Sequence, residues 1–263
     1  MSKEIDAPTL WRCVDFISDL HLQASDPQTF EAWAAYLHGT PANAVFILGD
    51  LFEVWVGDDV LSDPTSFEAR CAQTLRVAAS KRQIYIMHGN RDFLMGPALM
   101  HFCQAQLLAD PVVLAFAGER WLLTHGDALC LDDLPYQSFR TTVRNAAWQQ
   151  EFLAKPLQER QSIARGIRDQ SEARKRVQAS YADVDSATAS QWLRAAHAGH
   201  MIHGHTHQPA THLLRGNRER IVLSDWDVQA IPPRAQVLRI TPDTGGRALV
   251  QRLSPATATE PLH

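Results

Sequence analysis

Short apolar runs bounded by polar turns recur through the first half of the chain: Val14 to Ile17, Ala44 to Leu48, Gln83 to Met87 and Trp121 to Thr124. Runs of four or five residues rich in Val, Ile and aromatic side chains predict strands. Between them the spacing lengthens. Phe30, Trp33, Ala34 and Leu37 share one face of a helix across Gln28 to His38, and Asp26-Pro27 supplies its start. A second helix is expected across Ser66 to Lys81. Val112 to Phe116 and Arg120 to Thr124, separated by Ala-Gly-Glu, predict a hairpin. Strands alternating with helices place the chain in the α/β class.

From Leu131 to about His200 the strand pattern stops, and Ala, Gln and Arg dominate. Helical spacing recurs at Phe139, Val143 and Ala147, and again at Trp192, Ala195 and Ala196. This stretch reads as a helical insertion, 131–200, within one domain spanning 1–263. Strands resume at Met201, Ile221 to Leu223, Gln236 to Ile240 and Arg247 to Leu253, the last two flanking the turn Thr-Pro-Asp-Thr-Gly-Gly.

Composition narrows the class. With 263 residues, 45% hydrophobic and 21% charged, the chain can bury one sizeable core. A net charge of −4 gives no basis for a nucleic-acid binder. Cys13, Cys71, Cys103 and Cys130 form no CxxC pair and suit a reducing compartment. Lys3, Glu4 and Asp6 interrupt any secretory signal core, and no apolar run approaches the length of a spanning helix. A cytoplasmic protein is expected, with peripheral membrane attachment left open.

The chemistry sits just after the strands: Asp19-Leu-His21, Gly49-Asp50, Gly89-Asn90-Arg91-Asp92, His125-Gly-Asp127 and Gly204-His205-Thr-His207. In α/β sheets functional groups gather beyond the carboxyl ends of strands. Asp19, His21, Asp50, Asn90, His125, His205 and His207 together offer carboxylate, imidazole and amide donors that suit Mn²⁺, Fe²⁺ or Zn²⁺. Seven donors exceed what one ion needs, so two ions sharing a carboxylate are expected, with Asp50 as the bridge. Such a pair hydrolyses phosphate esters. Taken singly, each donor has a plainer reading, as a turn residue (Asp50, Asn90) or a structural histidine (His125). Gly204-His205-Thr-His207 is the most specific piece, and His203 reads as structural.

This series resembles the calcineurin-like metallophosphoesterase family. Over Asp15 to Trp226, the longer segments Gly49 to Asp59, His88 to Phe93, His125 to Asp133 and Ile202 to His207 resemble one branch of it. Members of that branch cleave the diphosphate of UDP-2,3-diacylglucosamine in the lipid A synthesis of Gram-negative bacteria. The resemblance implies a sandwich of two mixed β-sheets flanked by helices, a helical cap that grips acyl chains, and two Mn²⁺. Asp19, His21, Asp50 and His207 would hold one ion, and Asp50, Asn90, His125 and His205 the other. Asn90, Arg91 and His205 would be catalytic. Substrate contacts would come from these three with Asp133, Tyr136, Ser171 and Lys175. The partner would be UDP-2,3-diacylglucosamine at the cytoplasmic face of the inner membrane, with neither nucleic acid nor an obligate protein partner.

Three points stay open within that resemblance. The branch places further polar and basic contacts after Ser171, but the spacing to Asp183 is one residue shorter here, which leaves their assignment to Arg174, Lys175 or Gln178 open. Trp148, Phe152, Leu153, Leu157, Ile163 and Ile167 either line an acyl cleft or form the cap's own core. Arg165, Arg168, Arg174, Lys175 and Arg176 either meet anionic head groups or form a solvated face. Arg91 replaces the histidine common in the wider family. A phosphate leaving group departs as an anion, which arginine stabilises, whereas an alkoxide needs a general acid. The plainer reading pairs Arg91 with Asp92 at the surface. Two other functions remain: a phosphoesterase acting on a soluble nucleotide, or a scaffold that has lost catalysis. All seven donors are present, which weighs against the scaffold.

Overall fold

The computed structural model describes residues 3–177 and 183–262, the side chains of 169–177 excepted. Two six-stranded mixed sheets stack face to face. Strands in chain order are β1 (Lys3–Asp6), β2 (Val14–Ile17), β3 (Ala44–Leu48), β4 (Gln83–Met87), β5 (Gln106–Leu108), β6 (Val112–Phe116), β7 (Glu119–Leu123), β8 (His200–His203), β9 (Thr211–Leu214), β10 (Arg218–Val222), β11 (Val237–Pro242) and β12 (Ala248–Leu253). One sheet runs β12-β11-β2-β3-β4-β5, parallel from β2 to β5; the other runs β1-β6-β7-β8-β10-β9.

Side-chain alternation builds the layers. Val14, Phe16, Phe46, Leu48, Tyr85 and Met87 meet Leu114, Trp121, Leu123, Ile202 and Ile221 between the sheets. The alternate residues Ile17, Val45, Ile47, Ile84 and Ile86 face α1 (Pro27–Gly39), α2 (Phe67–Ala79) and α3 (Pro97–Cys103). Both β2 and β3 are covered on both faces; β3 accordingly reads as a continuous apolar run, and β2 does so except at the buried Asp15. The start expected at Asp26-Pro27 holds: the Asp26 side chain accepts from the Thr29 N–H and Pro27 occupies the first turn.

The region 131–200 divides. Helices α4 (Leu134–Val143), α5 (Ala146–Leu153) and α6 (Leu157–Val177) lie beside the strand ends that carry the site residues. Helix α7 (Ser186–Ala195) instead covers the second sheet, where Ala189 and Leu193 pack on Val113, Leu122 and Met201. It is a flanking helix, not part of a lid. Phe152 is buried in the core beneath the first sheet, and Trp148, Leu157 and Ile163 pack against that core. Strands β1 and β9 gave no alternating signal because they are edge strands with largely exposed side chains. Among the described residues no helix is long and apolar enough to cross a membrane.

Candidate metal centre

All seven predicted donors converge where the carboxyl ends of β2, β3 and β4 meet those of β7 and β8. Backbone bonds continue past the strands and lock the loops together: Asp19 N donates to Gly49 O (3.1 Å), His21 N to Asp50 O (3.0 Å) and Gly204 N to His125 O (3.0 Å). The two sheets are joined at the site itself, since His205 N donates to both Asp19 oxygens at 3.1 and 2.9 Å. A side chain at Gly89 would collide with Asp50 Oδ1, so only glycine allows that approach.

Five of the seven donors have left-handed backbone: Asp19 (φ 53°), His21 (48°), Asp50 (51°), His205 (67°) and His207 (54°). For a non-glycine residue this costs about 1–2 kcal/mol. The loop-to-loop bonds above over-determine these conformations, as happens where strain serves a site.

Two clusters result. Asp19 Oδ1 lies 3.2 Å from His207 Nε2, and His21 Nε2 lies 3.3 Å from the same nitrogen. Asn90 Oδ1 lies 3.1 Å from His125 Nε2 and 2.8 Å from His205 Nδ1. Asp50 stands between them, Oδ2 3.9 Å from His21 Nε2 and Oδ1 3.8 Å from His125 Nε2. Ligand atoms of Asp19, His21 and His207, and of Asp19, Asp50 and His125, lie within 4.8 Å of one another. This donor chemistry fits divalent cations. Asp19, Asp50 and His125 are buried while His21, Asn90, His205 and His207 reach solvent, giving a floor of charge and an open mouth.

Electrostatics agree. Burial disfavours a charged His125, yet Asp50, Asp127 and Asp19 outweigh it and raise its pKa to about 9. Burial and the neighbouring His125 charge depress His205 to about 4. For Asp19, burial is overcome by His207, His125 and His21, and its carboxyl falls below the usual range. The surrounding carboxylates thus favour a positive charge at His125, as they would favour a cation there. His203 is buried, faces Gly204 O at 2.8 Å through Nδ1 and is depressed by burial to about 3. It is structural, as expected.

The partners behind the donors were not foreseen. Leu48 O lies 2.9 Å from His125 Nδ1, Asp225 Oδ2 3.7 Å from His207 Nδ1 and Glu53 Oε2 3.1 Å from His21 Nδ1. The Leu48 carbonyl hydrogen-bonds His125, whereas the two carboxylates stand beside their imidazoles without an aligned hydrogen bond; all three leave Nε2 facing the centre. Glu53 and Asp127 both stood inside motifs already singled out, which was the available signal.

Arg91 does not pair with Asp92. Its Nη1 donates to Glu53 Oε1 at 3.0 Å, and its Nε lies 3.9 Å from Asp50 Oδ2. Asp92 instead accepts from the backbone N–H groups of Leu51, Phe52 and Gly89, and burial with the Asp50 charge raises it to about 7. Tyr136 sits with its ring 5.8 Å from that of His205, and its hydroxyl donates to Asp127 Oδ2, which also accepts from Arg140 Nε at 2.8 Å. Asp133 caps α4 by accepting from Tyr136 N at 3.1 Å. Ser171, Arg174, Lys175 and Arg176 fall in α6 where side chains lie outside the described residues, and Gln178 lies outside them altogether.

Residues 14–209 match the model of the calcineurin-like phosphoesterase family. A protein of Bordetella pertussis named UDP-2,3-diacylglucosamine hydrolase is similar, 42% identical over 233 residues, which span 86% of this chain and 90% of that one. One of the same name from Chromobacterium violaceum is 47% identical over 219 residues, spanning 81% and 90%. Among solved structures, an archaeal phosphodiesterase aligns with a TM-score of 0.46 at 11% identity, covering 92% of this chain and 98% of that one.

Proposed function

The chain belongs to the calcineurin-like phosphoesterase family, and from its similarity to the two hydrolases above we propose that it hydrolyses the diphosphate of UDP-2,3-diacylglucosamine to UMP and 2,3-diacylglucosamine 1-phosphate. The observation that carries the reading is Asp50, with one oxygen toward His21 and the other toward His125, beside the guanidinium of Arg91. We assign Asp19, His21, Asp50 and His207 to one Mn²⁺ and Asp50, Asn90, His125 and His205 to a second. When bound, such a pair polarises a phosphoryl oxygen and lowers the pKa of water toward neutrality.

The chain's own residues shape the rest. Asn90 contributes a neutral oxygen, so two carboxylates face two dications and positive charge remains for a diphosphate. Arg91 offers a planar fork to the departing phosphate, and His205 stabilises charge on the phosphoryl group. Asp133, Tyr136, Ser171 and Lys175 are assigned to the head group.

A lipid is favoured over a soluble nucleotide by the name that the similar proteins share. A cavity of about 190 Å³ lies between α6 and the loop after β3, lined by Val54, Trp55, Val56 and Val60 together with Glu68, Gln161 and Arg165. Acyl chains would extend from it along the cap, with the protein docked peripherally at the cytoplasmic face of the inner membrane. The test is an assay after chelation and Mn²⁺ addition, with UDP-2,3-diacylglucosamine, its deacylated form and a panel of soluble nucleotides. Metal-dependent UMP release that favours the diacylated substrate is expected. Equal turnover of the deacylated form refutes the lipid assignment, and activity indifferent to chelation refutes the metal centre.

A further inference from the structure

Glu53 belongs to neither donor cluster, yet it touches both the metal centre and the cap. It follows β3 on a loop pinned by its own N–H, which donates to Leu22 O at 3.1 Å, and its side chain is 15% exposed. The two oxygens face different partners. Oε2 lies 3.1 Å from His21 Nδ1, a bent approach that leaves Nδ1 without a well-aligned hydrogen bond. Oε1 accepts from Arg91 Nη1 at 3.0 Å and pairs with Arg168 Nη2 on α6.

Resting on the dinuclear reading above, we propose that Glu53 is a positioning residue with two tasks: orienting His21 toward its cation and fastening α6 of the cap over the site. An imidazole that ligates through Nε2 must carry its proton on Nδ1, and a carboxylate beside Nδ1 selects that tautomer. Of the groups behind the donor histidines, the Leu48 carbonyl is part of a strand, and Asp225 is held by Arg234 Nε at 3.0 Å. Glu53 is the one whose other oxygen is tied to the cap. Charge-assisted bonds from two guanidiniums anchor Oε1; the Arg91 bond, which is independent of the cap, is enough to fix the carboxylate plane and so where Oε2 points. The pairing of Glu53 with α6 also brings the Arg168 guanidinium beside the cation site, so one carboxylate serves both the cap and the ordered ligand.

Two measurements on the full chain separate the tasks: Mn²⁺ titration of the chelated protein, and hydrogen exchange of amides in 157–168. The isosteric Glu53→Gln should weaken one of the two classes of Mn²⁺ site by about 10–100-fold, the usual effect of removing such a partner. It should also speed exchange in 157–168. Arg168→Met should speed that exchange to the same degree while leaving both Mn²⁺ classes near wild type. If Glu53→Gln alters only one readout or neither, the double task is overturned. A comparable loss of metal in Arg168→Met overturns the division of labour between the two oxygens. Wild-type protein that takes up fewer than two Mn²⁺ refutes the dinuclear reading itself, a separate outcome.

Discussion

Replacing Arg239 by Met should destabilise the protein by about 3 kcal/mol, at the low end of the ~3–5 kcal/mol typical when one member of a buried ion pair is removed. Arg239 on β11 faces Asp15 on β2 across an antiparallel pair, and the two side chains are 4% and 0% exposed. Its Nε and Nη2 donate to the two Asp15 oxygens at 2.8 Å each, and Nη2 also reaches Ala258 O at 2.7 Å. Methionine retains much of the aliphatic volume, so the loss is chiefly electrostatic: a buried carboxylate without its cation. The low end applies because Asp15 keeps three side-chain donors, Tyr36 Oη at 2.9 Å, Thr40 Oγ1 at 2.8 Å and, weakly, Cys13 Sγ at 3.8 Å. Burial and the Asp15 charge hold the Tyr36 phenol well above its ordinary pKa, so it stays a donor. The double variant Asp15→Asn/Arg239→Met removes the stranded charge while an amide oxygen still accepts from Tyr36. It should recover about 1–2 kcal/mol of the loss. Urea denaturation followed by tryptophan fluorescence would report both changes as midpoint shifts at constant slope. A single variant within 0.5 kcal/mol of wild type, or a double variant less stable than the single, would refute the reasoning.

Three further outcomes are expected. Asp50→Ala should lower bound Mn²⁺ and reduce turnover by several orders of magnitude without unfolding the chain; near-normal rates with one ion per chain, measured by elemental analysis, would sink the bridging role. Arg91→Ala should cost on the order of 10²–10³ in rate, the scale of one transition-state donor, and Arg91→His should not restore it; an unchanged rate would confine Arg91 to its ion pair with Glu53. The Asp183 carboxyl is held below the usual range, first by hydrogen bonds from Arg220 at 2.8 and 3.0 Å. Its folded pKa is therefore lower than its unfolded value near 4. The stabilisation is complete above that value and lost as pH falls through the folded one. Asp183→Asn should accordingly be less stable than wild type at pH 7, with the gap in urea midpoints closing below about pH 4; a gap constant with pH would exclude the pair as its source.

Much of the site could be read before any coordinates because its donors are tied to local sequence. The central strands are covered on both faces and read as short, largely apolar runs, and the polar residue that ends each run marks the strand's carboxyl end. Asp19, His21, Asp50, Asn90, His125, His205 and His207 were legible as candidates for that reason. What the chain could not announce are pairings between residues far apart in sequence. Asp15 and Arg239 are 224 positions apart, and each alone looks like an ordinary strand residue. Arg91 choosing Glu53 over its neighbour Asp92, α7 lying on a sheet instead of over the site, and Arg168 reaching the metal centre were likewise decided by tertiary structure. The physical reason is the same in each case. Periodicity and composition say which side of an element avoids water, whereas an ion pair or a contact behind a histidine depends on register and distance between elements, and these exist only once the sheets have stacked.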